Sequence, residues 1–142
     1  MQTKPIQILL AEDNEDDVMI TQRAFQKAKI VNEMNVVSDG QAALDYLQNI
    51  DSEHPMPVLI LLDINMPKMS GLEVLKYIKS HEVFKVIPVI MLTSSKHEED
   101  VIDSYMDGAA SYIAKPVDHE AFIKTVEQFC IYWSMVVLPP SK

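Results

Sequence analysis

The stretch Val58-Leu59-Ile60-Leu61-Leu62-Asp63 decides how this chain folds. Five consecutive apolar residues make a strand with no polar face, and a carboxylate ends it abruptly. Such a strand must be covered on both sides, which requires a parallel sheet between layers of helices. The segment before it, Ser52–Pro57, carries two prolines and reads as a loop. Outward from here the pattern repeats. Ile6–Ala11 and Pro88–Leu92 read as buried strands, with Met34–Val37 and Ser111–Ala114 as shorter ones. Stretches of helical period separate them. Glu15–Lys29 carries Val18, Met19, Gln22, Phe25 and Ile30 along one side, and Asp39–Gln48 carries Ala43, Leu44 and Leu47. Gly71–Ser80 carries Leu72, Leu75 and Ile78, Glu98–Asp107 carries Val101, Ile102 and Tyr105, and Asp118–Trp133 is the last helix. Five βα units without a repeat, a low-complexity segment or a linker predict one doubly wound α/β domain, and 142 residues suffice for its core.

Composition narrows the function. Twelve Lys and Arg against 21 Asp and Glu give a net charge of −9. Nucleic-acid binding needs a basic face and is disfavoured. An acidic surface suits metal cations and basic patches on partner proteins, besides serving solubility. Cys130 is the only cysteine, so no intrachain disulfide exists, and it reads as a packing residue on the last helix. The first apolar run is broken by Glu12 and Asp13, unlike a signal peptide. No apolar run is long enough to span a bilayer. A cytoplasmic protein without a membrane partner is the expectation.

Each strand runs into its own helix, so the carboxyl ends of all five strands share one edge, where open parallel sheets bind ligands. Strand one ends in Glu12-Asp13, strand three in Asp63, strand four in Thr93-Ser94-Ser95 and strand five in Lys115-Pro116. Three carboxylates, hydroxyls and a lysine should meet there. At an effective dielectric of about 20, two carboxylates ~4 Å apart repel by about 4 kcal/mol. A cation must offset such a cluster, and Mg²⁺ suits all-oxygen ligands with phosphate oxygens among them. With Lys115 as a further positive charge and Thr93 as a hydroxyl donor, the set meets the needs of phosphoryl transfer to a carboxylate. Each element also has a plainer reading. Glu12 and Asp13 also read as loop-start and helix-capping acids, Asp63 as a turn residue, Thr93–Ser95 as a helix cap and Lys115-Pro116 as punctuation. The conjunction at four strand ends favours the chemical reading.

The segments ILLAEDNEDD, LILLDINMPKMSGLEVL, IPVIMLTSS and GAASYIAKPV, spread over about residues 6–133, carry a family likeness. The chain resembles the CheY-like receiver domain of two-component response regulators. The resemblance implies a flavodoxin-like sheet in strand order 2-1-3-4-5. It implies that Asp63 accepts a phosphoryl group from a histidine kinase. Glu12 and Asp13, with Asp63 and the backbone carbonyl of Asn65, would hold Mg²⁺, for which Mn²⁺ or Ca²⁺ can substitute. Thr93 would be the switch hydroxyl, Tyr112 the switch aromatic and Lys115 the partner of the phosphoryl oxygens. The Lys115-Pro116 bond is often cis in this family, and Pro67 and Gly71 shape the loop after the acceptor. EDNEDDV, TSSKHEEDVIDSY and the IYW before Pro139-Pro140 are similar to the small regulators paired with bacterial and cyanobacterial phytochromes, which implies a phytochrome-type kinase.

The implied receiver spans residues 1–134, followed by a short tail, 135–142, with no output domain, so the signal would pass to a separate protein. Phe122, Ile123, Val126, Phe129, Cys130, Trp133 and the apolar run Met135–Leu138 exceed what one helix face buries. Either the tail folds back on the core, or helix five and the tail form a homodimer interface, the preferred reading. Rival functions fit less well. An aspartate-nucleophile phosphatase usually has a second acid two residues on, where this chain has Asn65. A flavin or nucleotide module would need a glycine-rich loop where Glu12-Asp13 stands. A non-catalytic docking scaffold would not need the complete residue set. The only expected chemistry is self-phosphorylation and slow loss of the phosphoryl group.

Overall fold

In the computed structural model, which describes residues 6–28, 32–106 and 111–126, Leu59 to Asp63 form strand β3 and every residue of it is buried. The other strands are β1 (Ile6–Ala11), β2 (Asn32–Val37), β4 (Val89–Thr93) and β5 (Ser111–Ala114). The helices are α1 (Glu15–Lys27), α2 (Gly40–Gln48), α3 (Gly71–Ser80), α4 (Lys96–Met106) and α5 (His119–Val126). The sheet runs β2-β1-β3-β4-β5, with every neighbouring pair parallel. This is the flavodoxin-like order that the resemblance implied.

The two faces of the sheet build two cores. Ile8, Leu10, Leu59, Leu61, Ile90, Leu92 and Ile113 face α1 and α5, where Phe25 and Phe122 meet at 4.1 Å between ring centroids. Leu9, Ala11, Ile60, Leu62, Val89 and Met91 face the other way, against Ala43 and Leu47 of α2, Val74, Leu75 and Ile78 of α3 and Ile102 of α4. Adjacent residues of one strand therefore feed opposite cores, which is why β3 is apolar from Leu59 to Leu62, up to Asp63 at its end. After β1 the chain turns to β2 on one side, while β3 lies on the other. That reversal is the switch point at which doubly wound sheets bind ligands, and Glu12 and Asp63 flank it.

Side chains cap the helices that follow. Asn14 accepts from the Asp17 amide at 3.0 Å and Asp39 from that of Ala42 at 2.7 Å. Ser70 and Glu73 form a reciprocal capping box on α3. Two glycines sit where another backbone passes too close for a side chain. A Cβ on Gly71 would lie 2.2 Å from the Asp63 carbonyl oxygen, and one on Gly40 would lie 2.0 Å from that of Met69.

Some elements differ from expectation at their edges. β3 begins at Leu59 and includes Asp63, whereas Val58 is 38% exposed and only donates its amide to Gln7 at 2.8 Å. β2 extends back to Asn32 because it is an edge strand whose polar residues bond sideways: Asn35 donates to Gln7, and Gln7 to Glu33. α4 starts at Lys96, earlier than expected. Met19, expected on the buried side of α1, is 47% exposed. Thr21 takes the buried place, its hydroxyl satisfied by the Asp17 carbonyl at 2.8 Å. A 3-10 turn at Phe84–Val86, with His81 stacked on Phe84 and accepting from the Val83 and Phe84 amides, lies outside the expected elements. Ile30, Cys130 and the expected continuation of α5 to Trp133 lie outside the described residues. Among the described residues no helix is long and apolar enough to cross a membrane.

Phe122 is fully buried between α5 and α1. Phe122→Ala is expected to cost about 3–5 kcal/mol, read as a lowered urea midpoint at unchanged slope.

Candidate functional site

The strand ends do converge. Carboxylate oxygens of Glu12, Asp13 and Asp63 lie within 4.8 Å of one another. Glu12 and Asp63 are only 2% and 4% exposed, while Asp13 faces solvent. Lys115 enters from β5. Its backbone amide donates to the Thr93 carbonyl at 2.7 Å, continuing the β4–β5 ladder past Ala114, and its peptide bond to Pro116 is cis. Its Nζ lies 3.0 Å from Glu12 Oε1, 3.2 Å from Asp63 Oδ2 and 3.0 Å from Asp17 Oδ2.

Three carboxylates thus share one ammonium, with Asp13 close by, and the electrostatics show the strain. Burial, reinforced by the charge of Asp63, pushes Glu12 up to about 7 despite its contact with Lys115. Burial likewise raises Asp63. For Lys115, burial favours the neutral form, but its ion pairs with Glu12 and Asp17 and the charge of Asp63 outweigh that and hold it above its ordinary range. One atom is left over. Glu12 Oε2 accepts from the Asn14 amide at 3.2 Å, but buried Oε1, though close to Lys115, receives no aligned hydrogen bond. A surplus of negative charge, an all-oxygen donor set and an unsatisfied buried oxygen fit a hard divalent cation.

The remaining residues sit around this centre. Thr93 is wholly buried, and its Oγ1 donates to Glu99 Oε2 at 3.3 Å rather than to Asp63. The Asn65 amide donates to Asp63 Oδ1 at 3.4 Å, and its side chain donates to Glu98. Glu98 also accepts from the Ser94 amide at 2.6 Å, and Ser95 Oγ accepts from the Glu98 amide at the start of α4. Tyr112 is half-buried, with its hydroxyl on Asp103 Oδ2 at 3.2 Å. The plainer readings hold in part: Ser95 caps a helix and Glu12 closes a turn. The cap of α1, however, is Asn14, not an acid. Asp17, Glu98, Glu99 and Asp103 were not singled out from the sequence. The signal for Asp17 was its place in the acidic first turn of α1, directly after the strand end that carries Glu12 and Asp13. The α4 acids gave no signal beyond their place after β4.

Protonation of Glu12 has a testable sign. Its ordinary value is 4.5 and its folded value about 7, so between those limits the folded protein binds more protons than the unfolded chain. Stability is then lost as pH rises across that window. In chelator-treated protein, the melting temperature should fall from pH 5 to pH 8, and Glu12→Gln should flatten that fall. Equal slopes in thermal melts of the two proteins would contradict the assignment.

Comparison with known proteins agrees with this geometry. Residues 8–127 match the response regulator receiver domain family. The chain is 37% identical to response regulator Rcp1 of Synechocystis sp. over 139 residues, 96% of this chain and 95% of that protein. The solved structure of Mn(2+)-bound Rcp1 superposes with a TM-score of 0.71, covering 96% of this chain and 100% of that one. The bacteriophytochrome response regulator AtBRR is 38% identical with a TM-score of 0.83, covering 94% and 98% of the two chains. The phosphorylated cyanobacterial phytochrome response regulator RcpA is 34% identical with a TM-score of 0.71, covering 97% and 100%. Matched over most of its length in sequence and in backbone, the chain belongs to the response regulator receiver domain family.

Proposed function

We propose that this protein is a stand-alone phosphoacceptor: a histidine kinase transfers a phosphoryl group to Asp63, and the resulting change of shape is read by a separate protein. The observation that carries this reading is the ammonium of Lys115, 3.2 Å from Asp63 Oδ2 at the switch point of the sheet. An Asp63 carboxylate oxygen would form a bond to phosphorus as the donor's P–N bond breaks. The histidine ring leaves with that electron pair and takes up a proton. Lys115 would pair with the phosphoryl oxygens, and the Asn65 amide, which donates to Asp63 Oδ1, would orient the carboxylate. Glu12, Asp13, Asp63 and the main-chain carbonyl of Asn65 would hold Mg²⁺, for which Mn²⁺ or Ca²⁺ can substitute. When bound, the ion offsets the charge gathered on the transferred group.

The phosphoryl group brings a charge of about −1.5 to −2 and three strong acceptors. Thr93 would exchange its bond to Glu99 for a charge-assisted bond to a phosphoryl oxygen. Tyr112 would turn into the space released, altering the face of α4, β5 and α5. A full swing of populations from 1:99 to 99:1 needs about 5.5 kcal/mol of preference for the active form, within reach of a few such bonds.

A phytochrome-type kinase is the proposed donor, on the strength of AtBRR and RcpA, whose names tie them to phytochromes. The receiver would occupy residues 1–134 with a tail at 135–142, in the cytoplasm. The chain's coverage of 95% of Rcp1 and 98% of AtBRR supports action as a separate protein. A homodimer through α5 and the tail completes the proposal, supported by the apolar excess from Phe122 to Leu138.

Two measurements test this reading. With Mg²⁺ and acetyl phosphate, intact-mass spectrometry should show one phosphoryl group on the wild type and none on Asp63→Asn, and a chelator should abolish the gain. Labelled Asp63→Asn would refute the acceptor. Analytical ultracentrifugation should find a dimer in at least one phosphorylation state, and a monomer in both would remove the interface.

A further inference from the structure

We propose that Asp17 is a positioning residue for Lys115, holding its ammonium back from the phosphoryl group and so limiting how fast Asp63 is phosphorylated. The inference rests on the reading of Asp63 given above.

Asp17 is the third residue of α1 after its cap, Asn14. In a capping box the Glu or Gln at this position bonds back to the amide of the capping residue. Here Glu12 Oε2 already takes the Asn14 amide at 3.2 Å. Asn14 in turn accepts the Asp17 amide at 3.0 Å. With the helix end satisfied by others, the Asp17 carboxylate reaches Lys115, 98 positions later, and accepts from its Nζ at 3.0 Å. The two side chains are 27% and 13% exposed, so water and salt screen the pair weakly.

The three partners of Lys115 are not equivalent. Glu12 and Asp63 belong to the donor set suited to a cation, which would claim their lone pairs and repel the ammonium. Asp17 stands outside that set. It is the partner Lys115 can keep when the cation is present. An incoming phosphoryl group must draw a Lys115 N–H from Asp17 and bring its own negative charge towards the Asp17 carboxylate. Removing that carboxylate frees the ammonium and removes the repulsion.

The probe is acetyl phosphate with Mg²⁺. An Asp63 carboxylate oxygen bonds to phosphorus while the bridging P–O bond breaks and acetate leaves with the electron pair, so one carboxylate replaces another and no net proton moves. Asp17→Asn is expected to take up phosphate about three- to tenfold faster than wild type, the size expected for one nearby like charge at partial burial. Asp17→Ser, which also removes the charge, should accelerate similarly. Asp17→Glu, which keeps it, should return the rate to near the wild-type value, a rescue that general loosening of the fold would not give. Unchanged or slower uptake in both neutral variants overturns this inference alone, provided the wild type is phosphorylated. A wild type that takes up no phosphoryl group overturns the reading of Asp63 and this inference together.

Discussion

The crowding of like charge at one edge of the sheet governs this molecule. Glu12 and Asp63 are almost completely buried, and Asp13 and Asp17 stand beside them. Loss of hydration raises both buried acids, and the charge of Asp63 raises Glu12 further. Among the described residues Lys115 is the only side-chain cation placed beside them, and its position is set by the sheet. The β4–β5 ladder carries it in, with its amide on the Thr93 carbonyl. The apolar strands can be read as the frame that keeps these charges together against their repulsion.

That frame was legible because its rule is simple. A stretch buried on both faces must be apolar, so Ile8–Ala11, Leu59–Leu62 and Val89–Leu92 declare themselves, and the first polar residue after each marks the edge where chemistry sits. β2 was less legible because edge strands face different demands. Gln7, Glu33 and Asn35 bond to one another sideways, and Val36 is exposed. The site followed the same division. Glu12, Asp13, Asp63, Thr93 and Lys115 stand at strand ends, and counting along the chain finds them. Asp17, Glu98 and Glu99 act from helix surfaces, where periodicity gives a face but not a partner. Met19 and Thr21 show the limit. A hydrophobic residue faced water and a threonine entered the core, because helix geometry gave the threonine a carbonyl to bond.

The acids of α4 join the site to its surroundings. Glu98 links the loop after β3, through Asn65, to the loop after β4, through Ser94. Glu99 holds the Thr93 hydroxyl and Asp103 the Tyr112 hydroxyl. Added negative charge at Asp63 would therefore be felt first by a helix whose near end carries carboxylates of its own. In its mechanical layout, α1 anchors the lysine and α4 restrains the hydroxyls, so the two sides of the site can respond separately.

The chain contains only three glycines, and two of them, Gly40 and Gly71, open helices against the backbone on either side of the loop after Asp63. Neither place admits even a methyl group without moving a main-chain carbonyl. In the language of sequence drift, these two codons are closed to any residue with a side chain. The Asp63 carboxylate is presented at one point because the gauge that sets its spacing from the next helix is the absence of a side chain.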